Sequence, residues 1–378
     1  MDFLHRTWAE IDLSALRNNF NEIRKSTKGA KIMSVVKANA YGHSVYDVAP
    51  VLEKCGSDCF AVSNIDEAMQ LREMGIKADI LILGYTPADM AETLAKQNIT
   101  QTVYSSEYAA ALSEKATKSG VKIKIHIKLD TGMSRLGFDC RDEDYREIED
   151  AIAAAQLSGL QFDGIFTHFA SADRSEEEED GFTDIQYARF SNAVKKFKEA
   201  GLEPNTCHCC NSAASLLDNE KLLDMCRPGI VLYGLPPSSN LKLKEKLIPV
   251  MTLKSVVSMV KTIKKGDTVS YGRTFTAEKD MKIATVAAGY ADGYPRALSN
   301  KAYVLINGTK ANIIGRVCMD QLSIDVSDID AKMGDEVILF GKDLPAHTLA
   351  DICSTINYEI VCGISPRVPR IMVNTDEK

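Results

Sequence analysis

Between about residues 31 and 235 the chain alternates between two hydrophobic periods. Short apolar runs rich in β-branched residues read as buried strands at 32–36, 59–62, 79–83, 101–104, 122–129, 162–168, 206–210 and 229–233. Between them, apolar residues fall at helical spacing. Val48, Leu52 and Cys55 form one such stripe; Ala68, Leu71 and Met74 a second; Tyr145, Ile148 and Ile152 a third. Gly56, Gly75, Gly120, Gly159 and Gly201 follow these stretches as C-terminal caps do. Eight strand–helix units predict a parallel α/β fold, a (β/α)8 TIM-like barrel. A doubly wound sheet is the other arrangement with this alternation, but no Gly-x-Gly-x-x-Gly turn accompanies it here.

The pattern changes near Pro236-Pro237. Strand-like runs separated by Gly-Asp and Asn-Gly turns follow, at Gly266-Asp267, Asn307-Gly308 and Gly334-Asp335. They predict a mainly β C-terminal domain over 241–378 after a barrel over 1–240, the first ten or so residues packing with the β domain. The chain has 378 residues, 45% of them hydrophobic, which is enough for two cores. Its net charge of −7 argues against a nucleic-acid surface. The absence of a long apolar run argues against a membrane span, and a start without a signal-peptide pattern points to the cytoplasm. The group Cys207-His208-Cys209-Cys210 has metal-binding residue types. In a strand, however, adjacent side chains point to opposite faces and cannot converge on one ion, so no metal is expected.

Lys37 follows the first predicted strand and precedes a turn-prone segment. A lysine there costs free energy unless it is paired or chemically committed. A partly desolvated amine loses its proton readily and can form a Schiff base with an aldehyde. In barrel enzymes the site lies at the C-terminal ends of the strands. Lys37, Arg135, His168, Asn211, Ser212 and Arg227 all fall at or just after predicted strand ends.

The segment Val36-Lys-Ala-Asn-Ala-Tyr-Gly-His43 resembles the cofactor-lysine motif of the alanine racemases. The resemblance extends along nearly the whole chain. It includes Lys128-Leu-Asp-Thr-Gly-Met-Ser-Arg135, Phe166-Thr-His-Phe-Ala170, Asn211-Ser-Ala-Ala214, Arg227-Pro-Gly-Ile230, Ser270-Tyr-Gly272, Gly289-Tyr-Ala-Asp-Gly293, Gly315-Arg-Val-Cys-Met-Asp-Gln321 and Ile356-Asn-Tyr-Glu359. It implies an amino-acid racemase acting on alanine with pyridoxal 5'-phosphate bound to Lys37. Tyr41, Asn211, Ser212, Gly229, Ile230 and Tyr358 would hold the phosphate. His168 would pack on the ring, and Arg227, steadied by His208, would face the pyridine nitrogen. Tyr271 would be the second catalytic base, reaching the site from the partner subunit of a homodimer. Arg135 and the backbone of Met319 would bind the substrate carboxylate, with Lys128, Tyr290 and Asp320 in support.

An arginine cannot hand the ring nitrogen a proton, so it implies a shallower electron sink than a carboxylate would. The resemblance also admits a serine or dual alanine/serine racemase. A barrel-type decarboxylase of basic amino acids would instead be expected to pair the ring nitrogen with a carboxylate, and a small cofactor carrier would lack the second domain. One departure stands out: Ser365-Pro366-Arg367 carries proline where relatives have tyrosine or arginine.

Overall fold

The computed structural model describes residues 5–142, 144–174, 180–217, 219–238, 241, 243–244 and 246–375. The first eleven strands are β1 (Thr7–Asp12), β2 (Lys31–Val35), β3 (Cys59–Val62), β4 (Asp79–Ile82), β5 (Ile99–Val103), β6 (Ile123–Asp130), β7 (Phe138–Asp139), β8 (Leu160–Phe166), β9 (Thr206–His208), β10 (Met225–Cys226) and β11 (Met251–Ile263). One parallel sheet runs in the order β10-β2-β3-β4-β5-β6-β8-β9. Its two end strands meet: Asp224 N–H donates to Cys207 O at 3.2 Å and Arg227 N–H to Cys210 O at 3.0 Å. Eight parallel strands thus close into the expected barrel. Both faces of these strands are buried, with Phe60, Ile82, Ile125 and Ile165 on one and Ala61, Leu81, Thr102 and His126 on the other, the pattern of strands covered on both sides.

One strand differs from the sequence reading. The eighth lies at Met225–Cys226, and Ile230–Tyr233 is a 3-10 turn. All four side chains of that turn are buried in the core. A continuous apolar run fits a buried turn as well as a buried strand, and periodicity cannot separate them. The first barrel strand also stops at Val35, two residues before Lys37. His208, expected among alternating strand residues, does lie on a strand, but the strand ends there and Cys209 and Cys210 lie beyond it. Among the described residues, no group of His, Cys, Asp and Glu side chains could hold a metal ion.

The second sheet is mainly antiparallel. From one edge it contains Met281–Val286, Leu322–Asp325, Thr309–Ile314, Tyr303–Ile306, Glu336–Phe340, β11, β1 and Arg370–Val373. β1 pairs antiparallel with β11 and parallel with Arg370–Val373. The amino-terminal strand therefore belongs to the β sheet, and the chain enters the barrel through helix Leu13–Ser26. Asp12 caps that helix, accepting from Ser14 N–H and Ala15 N–H at 2.9 Å. Residues 239 and 240, where the two parts of the chain were expected to divide, lie outside the described residues. No helix of the described residues is long and apolar enough to cross a membrane.

Candidate active site

A cavity of about 680 Å³ opens where the barrel strands end. Lys37, Tyr41, Lys128, Arg135, His168, Asn211, Ser212, Arg227 and Gly229 line it from the barrel. Tyr358 lines it from helix Asn357–Cys362, which follows the second sheet's last long strand in sequence.

The turn that carries Lys37 is unusual. Ala38, Asn39, Ala40 and Tyr41 all have φ between +52° and +54°. Such left-handed residues cost roughly 1–2 kcal/mol each outside glycine, so the surroundings must hold them. Glu67 accepts from Ala38 N–H and from Ser63 N–H, both at 2.7 Å. Asn39 Oδ1 accepts from Val45 N–H at 2.8 Å, and Arg370 Nε donates to Gly42 O at 2.9 Å. Gly42 continues the left-handed path, and a Cβ there would stand 2.3 Å from Val361 O. Burial, with help from the Arg135 charge, lowers the Lys37 pKa, while Glu67 and Cys362 act the other way. The result is an amine at the cavity wall that gives up its proton more easily than an exposed lysine.

Arg135 is placed by a folded-back loop. Asp130 Oδ1 accepts from Gly132 N–H at 3.0 Å and Ser134 N–H at 2.9 Å. Gly137, at φ +130°, lets the chain return so that β7 pairs with the end of β6; a Cβ there would lie 2.5 Å from Asp130 N. Arg135 itself is exposed and has no ion-pair or hydrogen-bond partner among the described residues. Lys128 is buried nearby. Burial first, then the charges of Arg135 and Arg227, bring its pKa down to about 8.

Arg227 is 4% exposed. Its Nη1 donates to His208 Nδ1 at 2.7 Å, and its Nη2 to Thr167 O at 2.8 Å and Cys209 O at 3.0 Å. His168 Nδ1 lies 3.3 Å from Nη2. Burial and the neighbouring Arg227 hold His168 well below the usual histidine range, so its ring is neutral. No carboxylate pairs with Arg227 among the described residues, which leaves its charge to face the cavity or its neutral partners.

Opposite, Ser212 Oγ accepts from Gly229 N–H at 2.8 Å. That bond leaves the Ser212 hydroxyl proton free to point elsewhere. Tyr41 and Tyr358 bring two phenols, their rings 6.0 Å apart, both held protonated by burial. Asn211 is partly occupied, accepting from Ala214 N–H at 3.1 Å as a helix cap. Ile230 is fully buried in the core and does not line the cavity.

Tyr271, Tyr290, Met319 and Asp320 do not line the cavity either. They gather on the surface of the β domain. Tyr271 is 74% exposed, Met319 53% and Tyr290 42%. Their loops are knitted together: Tyr290 N–H donates to Cys318 O and Ala291 N–H to Met319 O, both at 3.0 Å, and Ser270 Oγ donates to Arg316 O at 2.7 Å. Arg6 and Arg367 both pair with Asp320 and with the buried Asp292. The segment with Pro366 belongs to this ion cluster and not to the cavity wall. Sequence reading missed Glu67, Asp173 and Cys362. The spacing Asn64-x-x-Glu67 marks a capping box, and Cys362 stands one helical turn after Tyr358, so both had a local signal.

A closed parallel barrel that gathers at its strand ends a lysine amine, an arginine without a partner among the described residues and neutral donors has the architecture of a barrel enzyme. Comparison with known proteins narrows this. Residues 11–237 match the alanine racemase N-terminal domain and residues 250–372 the alanine racemase C-terminal domain. Alanine racemase of Clostridium perfringens is 46% identical over 98% of this chain and 96% of its own length. That of Desulforamulus reducens is 44% identical over 97% and 98%. Among solved structures, alanine racemase of Clostridium difficile 630 superposes with a TM-score of 0.91 at 40% identity, over 100% of this chain and 98% of that one. Alanine racemase of Bacillus anthracis with bound L-Ala-P gives 0.90 at 36% identity, over 100% and 97%. The chain belongs to the alanine racemase family.

Proposed function

We propose that this protein interconverts L-alanine and D-alanine with pyridoxal 5'-phosphate. In this reading it works as a cytoplasmic homodimer that supplies D-alanine for peptidoglycan. The observation that supports it most is the meeting at one cavity of Lys37, Arg135 and Arg227, the last without a carboxylate partner among the described residues.

The residues present fit the cofactor. A Cβ on Gly229 would stand 2.6 Å from the Tyr41 hydroxyl and 3.6 Å from Ser212 Oγ, so the glycine keeps open a pocket bordered by hydroxyls. Tyr41, Ser212 and Tyr358 offer O–H donors suited to a phosphate. Lys37 would hold the cofactor's aldehyde carbon, His168 would pack against the ring, and Arg227 would donate toward the ring nitrogen. When bound, the cofactor supplies an aldehyde for amines and an electron sink that acidifies the substrate Cα–H.

The chain's own residues do the rest. Arg135 offers the substrate carboxylate two parallel N–H donors. Lys37 Nζ, its pKa lowered by burial, takes or returns a proton on one face of Cα. One base would only exchange the proton it removed, so inversion needs a second on the opposite face. Tyr271 is the candidate. Its ring stands exposed on a preformed patch with Met319 and Tyr290, outside this chain's own cavity. Docking that patch over the other chain's cavity would bring Tyr271 of the partner subunit to the second face.

The test is an absorbance scan of freshly purified protein, followed by polarimetry with L- or D-alanine. A visible band should be present in the wild type and missing in Lys37→Ala, and optical rotation should decay to zero from either enantiomer. A colourless wild-type protein that gains no band with added pyridoxal phosphate would overturn the reading.

A further inference from the structure

Behind Arg227 runs a chain of hydrogen bonds that leads away from the cavity. Arg227 Nη1 meets His208 Nδ1 at 2.7 Å. His208 Nε2 meets His126 Nδ1 at 2.9 Å. His126 Nε2 meets Asp163 Oδ2 at 3.3 Å, and Asn205 Nδ2 donates to Asp163 Oδ1 at 3.0 Å. The chain joins β6, β8, β9 and the residue after β10, so it crosses the seam where the barrel closes.

The proton positions follow from Arg227. A guanidinium only donates, so His208 Nδ1 must accept. Burial first, and then the Arg227 charge, keep His208 neutral, and a neutral imidazole has one N–H. That proton is on Nε2 and points at His126 Nδ1, which must therefore accept. The His126 proton is then on Nε2 and points at Asp163. A doubly protonated His126 is excluded by the same logic, because two N–H groups would face each other at 2.9 Å. Asp163 ends the chain as an anion: the hydrogen bond from His126 holds its carboxyl down near about 2, against the effect of burial.

The surroundings are shaped for this chain. A Cβ on Gly164 would lie 2.7 Å from the His126 ring, so the ring occupies the space a side chain would need. Phe166 stacks on His208 with centroids 4.8 Å apart and planes 6° apart, and the Arg227 guanidinium lies 5.3 Å from the Phe166 ring centroid. A misplaced proton here would leave a buried donor facing another donor, an arrangement that costs the folded state stability.

We propose that His126 and Asp163 are positioning residues that lock the His208 tautomer, so that a lone pair always faces Arg227 Nη1 and the guanidinium keeps one orientation. The role assigned to that orientation, toward the pyridine nitrogen, rests on the cofactor reading above. The tautomer chain itself does not.

The experiment is nitrogen NMR of histidine-labelled protein, with and without added pyridoxal phosphate, together with kinetics. In the wild type, His208 should show an unprotonated Nδ1 and a protonated Nε2 in both preparations. Asp163→Ala should give exchange-broadened or mixed tautomers at His126 and His208. It should also lower kcat about tenfold with KM within twofold, and Asp163→Glu should restore both signals. A protonated Nδ1 on wild-type His208 would overturn the proposal even if the variant failed to fold. So would an Asp163→Ala protein with unchanged tautomers and kcat. A wild type that shows the tautomers but binds no cofactor would overturn the functional reading and leave the chain standing.

Discussion

Gly229 and Tyr41 approach so closely that a Cβ on the glycine would stand 2.6 Å from the phenolic oxygen. Tyr41 cannot yield easily, because it is buried and its ring lies 5.0 Å from that of Tyr233. Gly229→Ala should therefore displace the tyrosine hydroxyl from the pocket it shares with Ser212. Affinity for pyridoxal phosphate should fall by about tenfold or more, the loss of one hydrogen bond to a charged group. Titrating apoprotein with cofactor by absorbance checks this. Equal affinity in both proteins would place the phosphate elsewhere.

Tyr271 is exposed and touches little, so Tyr271→Phe should leave the melting temperature within about 1 °C, as surface changes do. Racemisation should fall by about 10²–10⁴, the range for loss of a positioned acid–base group. Exchange of the Cα proton of one enantiomer with deuterated solvent should survive, because Lys37 still serves its own face. Specific activity of the wild type should also fall on dilution, as subunits part. Full racemisation by Tyr271→Phe would remove the residue from the chemistry.

Lys128 gives a pH dependence with a definite sign. Its folded pKa, about 8, lies below the ordinary lysine value of 10.5. Between these values the unfolded chain binds the proton and the folded one does not, so stability rises with pH across that window. The protonated lysine costs the fold up to about 3 kcal/mol at lower pH. Lys128→Met should therefore be the more stable protein at pH 7, and the difference should shrink between pH 8 and 10.5. Denaturant unfolding at several pH values measures it. A constant difference would mean that the fold does not lower the Lys128 pKa.

Arg227 replaced by glutamate would put a proton acceptor where only a donor now stands. Arg227→Glu should raise the share of turnovers that release pyruvate, the product of transamination, by about tenfold or more over wild type, while slowing racemisation. A coupled lactate dehydrogenase assay reads the pyruvate. Unchanged partitioning would show that the arginine does not restrain the side reaction. The substitution also removes the donor to His208 Nδ1, so thermal unfolding should be measured alongside.

Local order in the fold was readable from the chain. Most of the strands from 59 to 168 fall within about two residues of their expected bounds, because alternation of period is a local property. The segment 229–233 was not readable, since its apolar run carries no information about whether it pairs or turns. Pairing there belongs to Met225 and Cys226, two residues that look like nothing in particular alone. Asp163 was likewise invisible as a supporting group, because it acts on a residue 37 positions away, and the spacing that marks Glu67 as a helix-start residue does not show that it also holds Ala38, 29 positions away.

By itself, the sequence determined the alternation that makes a barrel, the motif around Lys37, and the order of the residues at the strand ends. Only the tertiary structure decided that no carboxylate among the described residues pairs with Arg227, that Lys128 lies buried beside Arg135, and that Tyr271 stands outside its own chain's cavity. The physical reason is one of range. Secondary structure follows from neighbours a few residues apart, whereas the protonation and reach of a side chain follow from burial and charges brought together by closure of the barrel.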